Sequence, residues 1–172
     1  MKFEYYYREL KKVKDPNESI LKALNKYSAI CREALISCNL IPGVETFLAK
    51  LRDENIRCFV VSGGNQQELR KVFLAKGLRG YFDDVMGSPR SKNEILQSLV
   101  KELESPVVYF GDAFLDCQAA IQNNMDFVFI SGRSDWAEGH VLCKSLSLPV
   151  YRDFLEILSE DEDGITNKMS LM

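Results

Sequence analysis

The stretch that decides the fold is PVVYFGDAFLD, residues 106–116. Its apolar run ends at Gly111, and Asp112 and Asp116 follow where the spacing turns helical. Similar apolar runs occur at IRCFVVS (56–62), DVMGS (84–88) and DFVFISG (126–132), and helical patterns lie between the runs, around 44–53, 65–76, 91–103 and 115–123. Short strands that are apolar on both faces and alternate with helices predict an α/β fold, with a Rossmann-like parallel sheet covered by helices.

The rest of the chain divides into segments that differ in the spacing of their apolar residues and in polarity. From Asn17 to Cys38, apolar residues recur with a period close to 3.6, which predicts one amphipathic helix that needs a surface to bury its apolar stripe. Pro42-Gly43 then breaks the chain. From Ser159 onward the sequence is polar and acidic, which predicts an unstructured tail. We therefore expect a helical segment over 1–40, an α/β core over 41–158 and a disordered tail over 159–172.

Composition excludes several classes of function. The 172 residues carry a net charge of -3, and the basic residues are dispersed, so we expect neither nucleic acid nor an acidic membrane surface as a partner. No apolar run approaches the roughly 20 residues of a membrane helix, and the N-terminus has no apolar secretion segment. The cysteines are odd in number and lack CxxC spacing, which predicts small core residues in a reducing, cytoplasmic protein: Cys31, Cys38, Cys58, Cys117 and Cys143.

Ligands of parallel α/β sheets bind beyond the carboxyl ends of the strands, so the residues after each run are the candidates. Ser62-Gly63-Gly64 follows the first run. A hydroxyl and glycine amides at a helix start suit an oxyanion, although an ordinary strand-to-helix turn has the same composition. After the second run, the spacing of Ser91 and Glu94 predicts a capping box that places Lys92 at the first helical position. That lysine either binds an anion or points into water.

The third strand end carries the two aspartates of the opening stretch. Asp112 and Asp116 are four residues apart, so a helix directs both carboxylates to one side. Hard oxygen donors in that arrangement suit Mg2+. The alternative is that Asp112 caps the helix and Asp116 is solvated. Taken jointly, a hydroxyl, a lysine and an acidic metal site on successive strands are what a phosphoryl group and its Mg2+ require.

These motifs resemble those of the haloacid dehalogenase (HAD) superfamily of phosphohydrolases. FVVSGG with Ser62 is similar to the second family motif, SKNEIL with Lys92 to the third, and YFGDAFLDCQAA with Asp112 and Asp116 to the fourth. The resemblance covers about 41–132, and it makes residues 1–40 similar to part of the helical cap of many members. It implies Mg2+-dependent attack of an aspartate on the phosphorus of a small phosphorylated metabolite, through an aspartyl-phosphate that water hydrolyses.

The resemblance also implies a role for each residue. Ser62, with the amides of Gly63 and Gly64, would bind phosphoryl oxygens, Lys92 would neutralise developing charge, and Asp112 with Asp116 would hold Mg2+. The first family motif, an apolar strand ending in DxD, has no counterpart before residue 41. The nucleophile is therefore missing from this chain, and so is the strand that lies in the middle of the family's sheet. Either the flanking strands close up or another segment fills the gap, for which KFEYYY (2–7) has the β-propensity.

Three functions remain open from the sequence. The chain is a shortened phosphohydrolase that is inactive alone, or a non-catalytic regulatory protein that keeps a phosphate and Mg2+ pocket. The third function is that of a nucleotide-binding or receiver-type domain. The absence of a GxGxxG or P-loop motif after any predicted strand argues against it. Tyr5, Tyr6 and Tyr7 offer an aromatic surface for a homodimer. The substrate itself, whether sugar phosphate, nucleotide or phospho-acid, is not encoded in any motif.

Overall fold

The computed structural model describes residues 2–103 and 106–161. Strands alternate with helices from residue 44 onward, as the apolar runs predict. The strands are β1 (Phe59–Asn65), β2 (Asp84–Ser88), β3 (Val108–Gly111), β4 (Asp126–Ile130) and β5 (Val150–Tyr151). The helices are α1 (Lys2–Tyr5), α2 (Asn17–Ser37), α3 (Val44–Asp53), α4 (Gln66–Ala75), α5 (Lys92–Leu103), α6 (Phe114–Gln122), α7 (Gly139–Ser145) and α8 (Phe154–Asp161). A π-helical turn at Tyr6–Leu10 and a 3-10 turn at Arg79–Tyr81 complete the set.

All strand pairs are parallel, and helices connect the strands, so the predicted α/β class is confirmed. The strands form two sheets. One pairs β1 with β2, and the other has the order β3-β4-β5. The register aligns Val60 with Val85 in the first sheet and Phe110 with Val128 in the second. The carboxyl ends of β1 and β2 therefore lie together, as do those of β3 and β4.

Apolar clusters cover both faces of the three-stranded sheet. On one face, α5, α6 and α7 contribute to a cluster that includes Phe127 and Phe129, against which Tyr109 and Val61 pack. On the other face, α3 and α8 contribute to a cluster around Phe47 and Phe154, against which Val108 and Phe110 pack. Each fully buried aromatic or aliphatic side chain stabilises the fold by roughly 1.5 to 3 kcal/mol relative to an exposed one. This double covering is why the strands are apolar on both faces.

Contacts divide the chain into two compact units, residues 1–39 with 67–79 and residues 40–66 with 80–172. The first unit thus takes in most of α4, which the sequence analysis had placed in the core. Within this unit Arg32 pairs with Glu68 at 2.6 Å, and Phe3 meets Tyr27 edge to face. Helix α2 forms where its periodicity predicts, but none of its residues is buried. The predicted burial of its apolar stripe is therefore wrong for the described structure.

Three further sequence expectations change in detail. Helix α8 continues to Asp161, so residues 159–161 are helical, and the rest of the expected tail, 162–172, lies outside the described residues. The cysteines are free, but only Cys117 and Cys143 are buried, and Cys38 is exposed. Residues 2–10 are helical, so KFEYYY does not supply a strand. Within the described ranges, no helix is long and apolar enough to cross a membrane.

Neither of the two outcomes expected for the missing central strand is seen among the described residues. Among the strands of the described ranges, β1 pairs only with β2, and β3 pairs only with β4. The strands on either side of the gap have neither closed up nor accepted another described segment. Their residues from Phe59 to Ser62 and from Val108 to Gly111 are all partly exposed, whereas Phe127 to Ile130 in β4 are 1% to 7% exposed. Strands with the sequence of a sheet interior here lie at sheet edges.

Candidate functional site

The predicted site residues all lie at the carboxyl ends of parallel strands. Ser62 is the middle residue of β1, three residues before the end of that strand, and Lys92 opens α5 shortly after β2. Asp112 directly follows β3, and Asp116 lies in the first turn of α6. The first two of these strands form one sheet and β3 belongs to the other, so the residues follow one another along the chain and not across a single sheet. Only some of these side chains contact one another. The hydrogen bonds and exposure of each side chain determine its possible chemical role.

A capping box fixes where α5 begins. The backbone N-H of Ser91 donates to the Glu94 carboxylate at 2.7 Å, and the N-H of Glu94 donates to the Ser91 hydroxyl oxygen at 3.3 Å. These bonds satisfy two donors that a helix start leaves without partners. The backbone bond from Ser91 also holds the pKa of Glu94 below its ordinary value. The helix consequently starts at Lys92, as predicted, and projects that side chain from its first turn.

Lys92 and Asp116 are brought together by the fold. The Nζ atom of Lys92 donates to Oδ1 of Asp116, which links the segment after β2 to the helix after β3. Asp116 is 4% exposed, one of the few buried charged residues. A carboxylate so far from water requires a cation or donors, because its desolvation is costly. The ammonium supplies that compensation, so neither charge points freely into solvent.

Tyr109 is a third member of this cluster, and the sequence analysis missed it. Its hydroxyl donates to the same Oδ1 of Asp116 at 3.1 Å. Residues two apart on a strand share a face, so Tyr109 and Gly111 project to the side on which α6 packs. Counting back two residues from Gly111 along the predicted strand would have identified Tyr109 as a residue on the same face as the site. Asp116 therefore receives two hydrogen bonds, one from an ammonium and one from a phenol.

The contact between Tyr109 and Asp116 predicts a distinct loss of stability in alkali. Burial, and then the negative charge of Asp116, raise the pKa of Tyr109 well above its ordinary value. In the unfolded chain the phenol ionises near pH 10, so above about that pH the unfolded state loses a proton that the folded state keeps. Stability is therefore full below this pH and falls as the pH rises towards the folded pKa.

The measurement compares the unmodified chain with Tyr109→Phe by urea denaturation between about pH 8 and 11. We expect the free energy of unfolding to fall less steeply above about pH 10 in the variant. Burial also raises the pKa of Cys117 and of Cys143, but both chains contain these thiols, so the difference isolates the tyrosine. Parallel curves for the two chains would show that the phenol does not titrate with unfolding.

Asp112 differs from Asp116 in its surroundings. It is exposed, and its backbone carbonyl accepts a hydrogen bond from the Ser134 hydroxyl. Among the described residues its carboxylate makes no hydrogen bond or ion pair, and its charge helps to raise the pKa of Tyr109. The Ser134 oxygen in turn accepts the N-H of Trp136 at 3.0 Å, which ties the loop after β4 to the end of β3. The backbone of Asp112 is thus fixed while its carboxylate remains accessible to a ligand.

The first strand end is open. The hydroxyl oxygen of Ser62 accepts the N-H of Gly64 at 3.1 Å, so the turn closes on itself locally. A side chain built at Gly63 would meet nothing within 4 Å. No hydrogen bond in the described part of the chain joins Ser62 to Lys92 or the aspartates. The structure therefore pairs Lys92 with Asp116. It leaves Ser62, Gly63 and Gly64 in β1, and Asp112 after β3, exposed or partly exposed in two different sheets.

The family profile of the haloacid dehalogenase-like hydrolases matches residues 2–130. The chain belongs to this family. The match includes all three motif regions and also the helices before residue 41. A curated relative, a copper-transporting ATPase from Helicobacter pylori, is 28% identical over 90 residues, which are 52% of this chain and 12% of the transporter. The chain thus spans a small fraction of the length of that relative.

Several solved structures of hydrolases share the fold. A HAD-superfamily hydrolase from Ehrlichia chaffeensis superposes with a TM-score of 0.56 at 22% identity, over 69% of this chain and 56% of that one. A haloacid dehalogenase-like hydrolase from Streptococcus pneumoniae gives 0.66 at 15% identity, over 86% and 70% of the two chains. A hydrolase from S. pneumoniae TIGR4 gives 0.53 at 22% identity, over 84% and 80%. At these sequence identities, the similarity to the three structures shows the fold alone.

The HAD-like site can be compared with what Mg2+ requires. Mg2+ takes oxygen ligands and is commonly held by one or two carboxylates, with waters and phosphate oxygens completing its shell. Asp112 and Asp116 supply two such groups, and no cluster of three His, Cys, Asp or Glu side chains occurs among the residues described. One oxygen of Asp116 is already bound by Lys92 and Tyr109. The donor set therefore fits a magnesium site that relies on Asp112, on the second oxygen of Asp116 and on non-protein ligands.

Proposed function

We propose that this chain carries the phosphate- and Mg2+-binding part of a HAD-type phosphohydrolase that acts on a small phosphorylated metabolite. The observation that carries the proposal is the pair of the half-buried Lys92 and the buried Asp116, beside the accessible carboxylate of Asp112. A cation, an anion-binding turn and acidic oxygens at the ends of parallel strands suit a phosphoryl group. The family membership supports hydrolase chemistry, and the phosphate and metal assignments are our inference from these side chains.

Each side chain has a role in the proposal. The Ser62 hydroxyl and the amides of Gly63 and Gly64 bind phosphoryl oxygens, and Lys92 neutralises their charge. Asp112 and Asp116 hold Mg2+, which when bound polarises the phosphoryl oxygens. In the complete site an aspartate forms a bond to phosphorus as the bond to the leaving oxygen breaks, and water then hydrolyses that aspartyl-phosphate. No described strand ends in a counterpart of the first family motif, so we propose that this chain alone does not turn over.

Binding and turnover are tested separately. Isothermal titration with MgCl2, and with inorganic phosphate in the presence of MgCl2, should give saturable heats at millimolar ligand. Asp112→Asn should weaken Mg2+ binding by about tenfold or more, because it removes the accessible anionic ligand. Asp53→Asn is the matched control, since Asp53 is an exposed carboxylate at the end of α3. Absence of heat with both ligands would overturn the proposal, and so would equal weakening by the two variants.

The turnover assay uses an aryl phosphate that releases a coloured phenol. We expect no release by the chain alone. Release that is lost in Asp112→Asn but kept in Asp53→Asn would show that the nucleophile lies within these residues and would overturn that part of the proposal.

A second candidate function is a non-catalytic regulatory protein that retains the pocket. It is favoured by the pairing of Lys92 with Asp116, because two charges that satisfy each other are stable without a reaction to perform. A cytoplasmic location suits both functions, since the described structure contains five free cysteines. A homodimer, which the exposed Tyr5 and Tyr6 would serve, is also compatible with both. Binding without turnover in every assembled form of the protein would favour the regulatory function.

A further inference from the structure

An apolar groove lies where the start of α6, the loop after β4 and helix α7 meet. Its volume is about 570 Å3, which is within the range of small-molecule sites, and it is open to solvent. None of the side chains that we assign to phosphate or Mg2+ is among its lining residues. These are Phe114, Trp136, Glu138, Val141, Leu142 and Ser145.

Aromatic rings form one wall of the groove. Trp136 meets Phe114 edge to face with ring centroids 5.7 Å apart, and it packs on Phe129 with centroids 5.1 Å apart. Phe129 is 1% exposed, so it anchors the indole to the core. Phe114 and Val141, in contrast, are 47% and 75% exposed. Large apolar side chains that stay in water at one place on a surface are typical of a binding site.

The loop that carries Trp136 is held by hydrogen bonds at both ends. The backbone N-H of Trp136 donates to the Ser134 hydroxyl oxygen at 3.0 Å, and that hydroxyl donates to the carbonyl of Asp112. The N-H of Gly139 donates to the carbonyl of Trp136 at 3.1 Å. A Cβ atom at Gly139 would lie 2.6 Å from the ring of Phe129, so α7 begins in close contact with the core. The groove is therefore formed before a ligand arrives, which lowers the entropic cost of binding.

The charge in the groove is that of Glu138. Its carboxylate is exposed and makes no hydrogen bond or ion pair with any residue that the structure describes. The hydroxyl of Ser145 is occupied, because it donates to the carbonyl of Leu142 at 2.8 Å. Aromatic faces and a carboxylate both attract a cation, whereas an anion is repelled by the carboxylate. The groove therefore suits a ligand that is apolar at one end and positively charged at the other.

We propose that this groove binds a small organic cation in which an apolar ring is joined to an amine by a short carbon chain. The ring covers the walls at Phe114 and Trp136, and the ammonium pairs with Glu138. A protein partner is a poorer occupant, because a stable protein interface uses about 20 to 30 residues a side and six line this groove. The proposal stands on these contacts alone, so it holds whether or not the chain binds phosphate.

The test uses the fluorescence of Trp136, which is the only tryptophan of the chain. The full chain is titrated near neutral pH with phenylpropylamine, phenylpropanol and phenylpropanoate, which share one ring and differ in charge. Free N-acetyltryptophanamide, titrated in parallel, corrects for collisional quenching. We expect saturation with the amine at millimolar concentration, about tenfold weaker binding of the alcohol, and no saturation with the anion.

Glu138→Gln keeps the shape of the side chain and removes its charge. It should weaken binding of the amine about fivefold and leave binding of the alcohol unchanged. Glu45→Gln is the matched control, since Glu45 is an exposed carboxylate in the first turn of α3, and it should change neither affinity. Phe114→Ala removes part of the apolar wall and should weaken binding of the amine and the alcohol alike, by about fivefold or more.

Several results would overturn the proposal. They are equal affinity for the amine and the alcohol, saturation with the anion, equal weakening by Glu138→Gln and Glu45→Gln, and absence of saturation. Unchanged binding in Phe114→Ala would place the amine elsewhere and overturn it as well. A fluorescence change that follows protein concentration without ligand would assign the groove to a second copy of the chain, with the same consequence. If a variant unfolds, the three ligands on the unmodified chain still decide.

Discussion

Replacing Asp116 with alanine should lower the free energy of unfolding by about 3 kcal/mol, although the residue is small and carries a charge. The carboxylate is 4% exposed and accepts hydrogen bonds from Lys92 and Tyr109. Its removal leaves a half-buried ammonium and a phenol without their acceptor. Breaking a fully buried pair costs about 3 to 5 kcal/mol, and the 32% exposure of the Lys92 side chain places this one at the lower end. Urea denaturation near pH 7 measures the loss.

Asp112→Ala is the matched control. Asp112 lies four residues away on the same motif, but its carboxylate is exposed and has no described partner, so its loss should change stability by no more than about 0.5 kcal/mol. The double variant Lys92→Met, Asp116→Leu should lose less than the sum of its single changes, because it removes both charges together. Equal destabilisation by Asp112→Ala and Asp116→Ala would mean that the pair with Lys92 contributes nothing measurable.

Much of the α/β fold follows from local pattern. The helices over 17–37, 44–53 and 92–103 could be predicted from an apolar period close to 3.6, and the first four strands from the short continuous apolar runs between helices. The closeness of Lys92 and Asp116 could also be predicted, since ligand-binding residues of parallel α/β folds gather at the carboxyl ends of the strands. The hydrogen bond from Tyr109 to Asp116 could not be predicted from the sequence, because it depends on how α6 packs against β3. Local pattern also did not reveal β5, which has only two residues.

The N-terminal segment shows the limit of such patterns. The periodicity of α2 correctly predicts a helix, yet a stripe of apolar residues does not specify the surface that covers it. Leu21, Tyr27 and Ile30 remain more than half exposed in the described structure. In the same way, the apolar sequences of β1 and β3 predict strands of a sheet interior, while their actual neighbours depend on residues far away in the chain. The sequence thus predicts that an apolar face needs to be covered, but it does not predict which segment covers that face.

Gly111→Ala should be nearly as damaging as the loss of Asp116, and for a geometric reason. A Cβ atom at Gly111 would lie 2.5 Å from the Cβ of Asp116 and 2.9 Å from the ring of Phe127. Helix α6 can approach β3, and Asp116 can reach Lys92 and Tyr109, only because that atom is missing. Overpacking of a core costs about 1 to 3 kcal/mol, and displacement of Asp116 adds part of the cost of its ion pair.

We therefore expect Gly111→Ala to lower the free energy of unfolding by about 3 kcal/mol and to weaken Mg2+ binding in titration as well. Gly63→Ala is the control at the end of β1, where an added Cβ meets nothing within 4 Å, and its stability should stay within about 0.5 kcal/mol of the unmodified chain. Combining Gly111→Ala with Asp116→Ala should cost less than the sum of the two, because the carboxylate whose contacts the first change would disturb is already absent, although alanine keeps the Cβ atom at position 116. Full additivity would show that Gly111 has no part in positioning the Asp116 carboxylate.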